Sequence, residues 1–363
     1  MRKVQLNTAC EGPLALNDHA FELCRDFIKP QGDRFFQQVS HYDYYLTEVA
    51  KQPGRQSGNI LKLILPFLKA QGLTNAQIEA HSRQNIKLMP GAEGAYKFLH
   101  GQKLPIFAIS TSYRQFAGAV GLKLGLNRKH IFCTELDLDR YKLPESEAEE
   151  LQRLAGEIAD APAIELPAEA TSLADLPEPV QETVATLDRI LGKRLPAMES
   201  GAILQEVHPL GGPEKAKAVT DSLAKTGLTM TDTIYVGNSP TDLQAFEAVR
   251  AEGGLAISFN GDHSAVKAAE VVVVSDNAWS MALLMAVFQL WGKDGVLELA
   301  APETRNKGRN LVLPEEVIDP IFTGLDGHML NIYLSKNPKQ DKIAQESLAM
   351  RAKLRGEAVA AAG

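Results

Sequence analysis

A chain of 363 residues has room for two domains, or for one domain carrying long insertions. Its 45% hydrophobic and 23% charged content suits a globular protein in water, and no apolar run is long enough to span a bilayer. The net charge of −7 excludes a sequence-independent nucleic-acid binder, which needs a basic surface. Behind the basic start MRKVQLNTACEGP there is no apolar stretch of the kind found in a secretory signal. Cys10, Cys24 and Cys133 are odd in number and far apart, which predicts neither a disulfide framework nor a Cys-x-x-Cys metal site and favours a reducing, cytoplasmic setting.

In chain order, five segments have the short, almost continuous apolar character of strands covered on both faces: residues 3–8, 105–111, 232–239, 254–261 and 270–276. Helical patterns at 214–227 and 241–253 alternate with them, which predicts βαβ units and a doubly wound, Rossmann-like parallel sheet. Two insertions interrupt the series. Residues 18–88 are predicted mainly helical, punctuated by Pro30, Pro53 and Gly72, with Thr74 or Asn75 as a helix cap. Within them Phe35, Phe36, Tyr42, Tyr44 and Tyr45 suit a buried core, or a wall for a flat or apolar ligand.

Residues 122–210 form the second insertion. Between Pro144 and Thr183 it holds eleven Asp and Glu against one Arg, and five prolines. Leu151, Leu154 and Ile158 have helical spacing; residues 164–180 read as an irregular connection, solvated or serving as an acidic docking surface. Glu135, Asp137 and Asp139 alternate as on one strand face, a solvated edge or a cation site. The last residues read as an exposed terminal helix or a contact for a protein partner.

Ligands of open parallel sheets bind at the carboxyl ends of the strands. The first strand runs into Thr8-Ala9-Cys10-Glu11-Gly12-Pro13, and the second into Ser110-Thr111-Ser112. The turn Gly211-Gly212-Pro213 opens a helix carrying Lys215, and 23 residues after that lysine stands Asn238 in Gly237-Asn238-Ser239-Pro240-Thr241-Asp242. Taken singly, these are ordinary cap and turn residues. Together they supply hydroxyls and amides (Ser110, Thr111, Ser112) for phosphoryl oxygens, a cation (Lys215) for their charge, and two carboxylates, Glu11 for proton transfer and Asp242 for orienting Lys215 or a metal-bound water.

This order and spacing, from about residue 3 to residue 290, resembles the haloacid dehalogenase-like superfamily of hydrolases. The resemblance implies an α/β fold with a mainly helical cap, Mg²⁺ as cofactor, and hydrolysis of small phosphorylated metabolites through an aspartyl-phosphate. Glu11 stands at the position of the general acid/base. The implied division is a core of 1–17, 89–121 and 211–295, a cap of 18–88, a second insertion of 122–210 and a C-terminal extension of 296–363. The segments ACEGPLALNDHAFELC, GGPEKA and YVGNSPTD look like a smaller, mostly archaeal group, some of whose members are described as energy-converting hydrogenase subunits.

The pattern breaks twice. Ala9 occupies the nucleophile position, and a methyl group cannot attack phosphorus. Asn238 occupies a metal-ligand position and brings no charge, which leaves only Glu11 and Asp242 and predicts weak or absent Mg²⁺ binding. Two readings remain open at this point: an impaired phosphatase, and a non-catalytic protein that binds a phosphorylated metabolite or acts as a regulatory subunit, docking through the acidic stretch or the C-terminal helix.

Overall fold

The computed structural model describes residues 2–167, 170–301 and 313–356. Parts of the expected C-terminal extension (302–312 and 357–363) and residues 168 and 169 of the acidic stretch lie outside the described residues. The strands are β1 (Gln5–Thr8), β2 (Ile106–Tyr113), β3 (Ile131–Thr134), β4 (Thr233–Gly237), β5 (Leu255–Phe259), β6 (Val271–Ser275) and β7 (Leu330–Leu334). They form one sheet in the order β3-β2-β1-β4-β5-β6-β7, parallel except for β7, which runs against β6. The five expected strands are all present. The two unexpected ones lie at the sheet edges, where partial exposure leaves no continuous apolar run to announce them.

The first insertion contributes α1 (His19–Phe27), α2 (Gly32–Tyr44), α3 (Ile60–Leu63), α4 (Leu65–Ala70) and α5 (Asn75–Asn85). Thr74 starts α5 through a reciprocal capping box with Gln77, satisfying two otherwise orphaned N–H groups. The chain returns to the sheet through α6 (Ala92–Gly101), and α7 (Arg114–Lys123) follows β2. The second insertion holds α8 (Glu145–Asp160), α9 (Glu178–Leu187) and α10 (Gly201–Glu206). Then come α11 (Pro213–Thr226), α12 (Leu243–Ala251), α13 (His263–Ala268), α14 (Trp279–Ala300), α15 (Glu315–Leu325) and α16 (Gln340–Arg355).

Side chains alternate across each strand, so the sheet has two cores. Leu6, Ile106, Val236, Ile257 and Val273 pack under α6, α7 and α14. Ile109, Tyr235 and Ala256 point the other way, under α11 and α12. A third core belongs to the insertions. Phe35, Tyr42 and Phe67 of the first share one cluster with Leu151, Leu154, Ile158 and Val184 of the second. The acidic stretch is thus solvated on one face only; its apolar stripe, at helical spacing, is core.

Three expectations need correction. Strand β3 ends at Thr134, so Glu135, Asp137 and Asp139 share no strand face. Glu135 instead pairs with Arg114 at 2.8 Å, while Asp137 and Asp139 accept from the side chain and backbone of Asn75, 2.6 and 3.1 Å away. The terminal helix is not exposed. Ile343, Ala344 and Met350 of α16 bury one face against Val266, Val272 and Val274, because their spacing sets them on one stripe. The helical insertion expected over 18–88 is not α-helical throughout: after Tyr44 it widens into a π-helical turn, Tyr45–Val49.

Because the two insertions share one core, Leu154→Ala should destabilise both together. The expected loss is about 2–5 kcal/mol, read from denaturant unfolding, with amide protection falling in α2 and α4 as well as in α8.

Candidate active site

The loops leaving β1, β2 and β4 meet the first insertion around one cavity of about 180 Å³. Ala9, Glu11, Ser110, Thr111, Ser112, Lys215 and Asn238 all line it; Asp242 does not. Asp242 is fully buried behind the wall. Its carboxylate accepts from Lys215 Nζ at 2.7 Å, the Tyr235 hydroxyl at 2.7 Å and the Asn238 and Ser239 amides at 2.8 and 3.1 Å. Burial alone would raise this carboxyl, but Lys215, the Tyr235 hydroxyl and the Asn238 amide hold it below the ordinary value. Lys215, itself 3% exposed, spends a second donor on Thr241 Oγ1 at 2.8 Å.

Two glycines make the close approaches. Gly12 has φ +100°, and a Cβ there would lie 2.4 Å from the Asn238 side-chain nitrogen. The Asn238 side chain is therefore packed against the β1 loop. A Cβ on Gly237 would lie 2.5 Å from the Asp242 carboxyl carbon.

Glu11 Oε1 accepts from the His19 amide at 2.8 Å. Burial, then the neighbouring Asp18, raises its carboxyl to about 7, against the opposing pull of Arg355. Asp18 caps α1 by accepting from the Phe21 amide at 3.0 Å. His19 stacks on Phe116 with ring centroids 4.6 Å apart, and burial followed by His81 lowers it to about 3, so it is neutral at ordinary pH. Cys10 is buried, and burial pushes its thiol well above the ordinary value; it offers no thiolate to replace the missing nucleophile. Ser110 Oγ accepts from the Ser112 amide at 3.1 Å, so one of the two amides expected near a phosphoryl group is turned onto the serine. Of the aromatic run, Phe35, Tyr42 and Tyr45 are core, whereas Phe36 and the half-exposed Tyr44 reach the cavity wall.

Sequence reasoning missed Asp18, His19, Arg351 and Arg355. Asp18-His19 had a readable signal, a helix-capping Asp before an amphipathic run. The arginines had none, being more than 110 residues beyond Asn238 in the chain. Both project from α16: Arg355 donates to the Leu16 and Asn17 carbonyls at 2.9 and 2.7 Å, and Arg351 Nη1 to the Asn238 carbonyl at 3.3 Å. Burial, then Arg355, lowers the Arg351 guanidinium to about 10, which leaves it charged at neutral pH.

The sequence is 30% identical to the gene product AF1437 from Archaeoglobus fulgidus, with 98% of each chain covered and a TM-score of 0.76. The chain belongs to one family with that archaeal protein. Looser overlaps occur with a HAD family hydrolase from Salmonella enterica (11% identity, 71% of this chain and 64% of that one, TM-score 0.42) and with a substrate-bound phosphoserine phosphatase (14%, 72% and 88%, TM-score 0.38). No protein-family model and no curated protein matches the sequence. The architecture is α/β: a sheet parallel except for β7, a mainly helical insertion after β1, and polar groups gathered at the carboxyl ends of β1, β2 and β4, as expected for a haloacid dehalogenase-like fold.

The donor set does not fit Mg²⁺. The Ala9 side chain has no oxygen to give, Asn238 is neutral and packed on Gly12, and every Asp242 acceptor faces a protein donor. Of the expected metal-ligand positions, only Glu11 keeps a carboxylate on the wall. Among the described residues no group of three or more His, Cys, Asp or Glu is placed to hold a metal ion.

Two outcomes follow. Asp242→Asn should destabilise the chain by roughly 3–5 kcal/mol, because it strands the buried Lys215 charge; denaturant midpoints give the value. Glu11 binds its proton more tightly folded than unfolded, so its contribution to stability is present below its ordinary value of 4.5 and is lost as pH rises through about 7. Unfolding free energies at pH 5 and 8 should accordingly differ less in Glu11→Gln than in the unmodified protein, and an unchanged difference would contradict the assignment.

Proposed function

We propose that this chain is a haloacid dehalogenase-like, phosphohydrolase-type protein whose aspartyl-phosphate chemistry is impaired, and whose cavity binds a small phosphorylated metabolite. The observation that carries the reading is the composition of one wall. Ala9 and Asn238, both without charge, stand beside Ser110, Thr111 and the buried Lys215. An anion is attracted to that wall, but no carboxylate stands at position 9 to form the covalent acyl-phosphate. Phe36, Ile60, Leu61 and Tyr113 also line the cavity and suit an apolar body attached to the anionic end. Kinship with an archaeal protein supports placing the chain in the mostly archaeal group that its motifs resemble.

The non-catalytic form of this reading, a metabolite-binding or regulatory protein, is favoured by one detail. Asp242 is consumed in holding Lys215, which preserves the cation for binding without leaving a carboxylate for a metal. The test combines turnover and binding. The unmodified protein, given an aryl phosphate and Mg²⁺, should hydrolyse it roughly 10⁴-fold or more below an intact site, while inorganic phosphate broadens in its ³¹P spectrum on adding protein. Lys215→Met should abolish the broadening. Brisk hydrolysis, or no phosphate binding at all, would refute the proposal.

A further inference from the structure

The cavity has lost two carboxylates relative to the pattern it resembles, yet it has not become simply neutral. Arg351 is 3% exposed and lines the same cavity as Ala9, Glu11 and Asn238. Its Nη1 donates to the backbone carbonyl of Asn238, the residue at the lost metal-ligand position. Its partner on the helix, Arg355, binds the Leu16 and Asn17 carbonyls of the loop that follows β1. Helix α16 therefore ties the β1 loop to the β4 loop with two guanidinium groups. The apolar stripe of Ile343, Ala344 and Met350, fixed against β6 and α13, holds it there.

Charge decides what this arrangement is for. Glu11, Asp18 and Asp262 face Arg351 from the β1 loop and from the cap of α13, and Arg355 faces it from its own helix. A buried guanidinium needs nearby carboxylates or an anion to offset its desolvation. Two further carboxylates, at positions 9 and 238, would give a cavity able to recruit a divalent cation in competition with the arginine. With alanine and asparagine there, a divalent cation meets Arg351 without those two charges, and the cavity's other carboxylates are turned to protein donors: Asp18 to the Phe21 amide, Asp43 to the Ile60 amide and Glu48 to the Ser57 hydroxyl.

We propose that Arg351 takes over the electrostatic role of the divalent metal, making this a metal-independent anion site completed by the C-terminal helix. The inference rests on the binding function proposed above and deepens it. Planar guanidinium groups bind phosphate and carboxylate through paired hydrogen bonds, and with Lys215 the arginine gives the anion two cations at neutral pH. The ligand class is accordingly a phosphomonoester or similar oxyanion bound without a bridging metal.

The experiment has two arms, on the full chain. In the first, inorganic phosphate is titrated into the unmodified protein with Mg²⁺ or with EDTA. Equal affinity is expected, and tightening by Mg²⁺ would overturn the proposal. Arg351→Met should weaken phosphate binding roughly 10–100-fold, and Arg351→Lys should restore part of the loss. Unchanged affinity in folded Arg351→Met, checked by thermal unfolding, would also overturn it. The second arm does not depend on phosphate. Mn²⁺ binding is followed by electron paramagnetic resonance in Ala9→Asp with Asn238→Asp, with Arg351 retained or replaced by Met. Replacement should tighten Mn²⁺ by at least roughly tenfold. Equal Mn²⁺ affinity in the two, including none in either, would remove Arg351 from the metal's place. Absence of phosphate binding alongside an arginine-dependent Mn²⁺ site would refute the binding function alone.

Discussion

The ion pair between Lys215 and Asp242 is the constraint around which the strand ends are arranged. Asp242 is wholly inaccessible and Lys215 nearly so, and two charges taken out of water are tolerated only when almost every donor and acceptor is met. The Tyr235 hydroxyl from β4, two backbone amides of the following loop and Thr241 complete the set. These bonds fix the first turn of α11 to the loop after β4, and they force Gly237 to lack a side chain. The same loop presents Asn238 to Gly12, so the floor of the cavity is set by a pair whose carboxylate never reaches the cavity.

That floor keeps its shape independently of the groups at positions 9 and 238. Ala9 and Asn238 line the cavity without bringing charge to it. The residues that organise the fold locally, Gly12, Gly237, Lys215 and Asp242, remain. Packing depends on the second set and not on the first, so the shape of the cavity is independent of the charge carried at positions 9 and 238.

Legibility in the sequence followed burial. Of the five central strands, β2, β4, β5 and β6 have both faces covered and runs of apolar residues that announce them, whereas β1 sets Leu6 among the buried polar Gln5, Asn7 and Thr8. The edge strands β3 and β7 were not readable, since partial exposure dilutes the signal. Thr74 announced its helix through a local capping motif, whereas Glu135, Asp137 and Asp139 misled because alternation over a few residues is shared by strands and by loops that cap a neighbouring helix. The candidate site was legible where its groups follow strands in order: Glu11, Ser110, Lys215 and Asn238 all line one cavity.

What the sequence determined by itself was the doubly wound sheet, the helical first insertion and the absence of charge at positions 9 and 238. These rest on local periodicity and on residue identity, which need no knowledge of distant contacts. Only the tertiary structure decided that Asp242 is turned away from the cavity, that the acidic insertion shares its core with the first, and that the last described helix returns to place Arg351 and Arg355 beside the β1 and β4 loops. The reason is separation. Arg355 meets the carbonyl of Leu16 across 339 residues, and no pattern within either segment encodes a contact made when the apolar stripe of α16 finds β6.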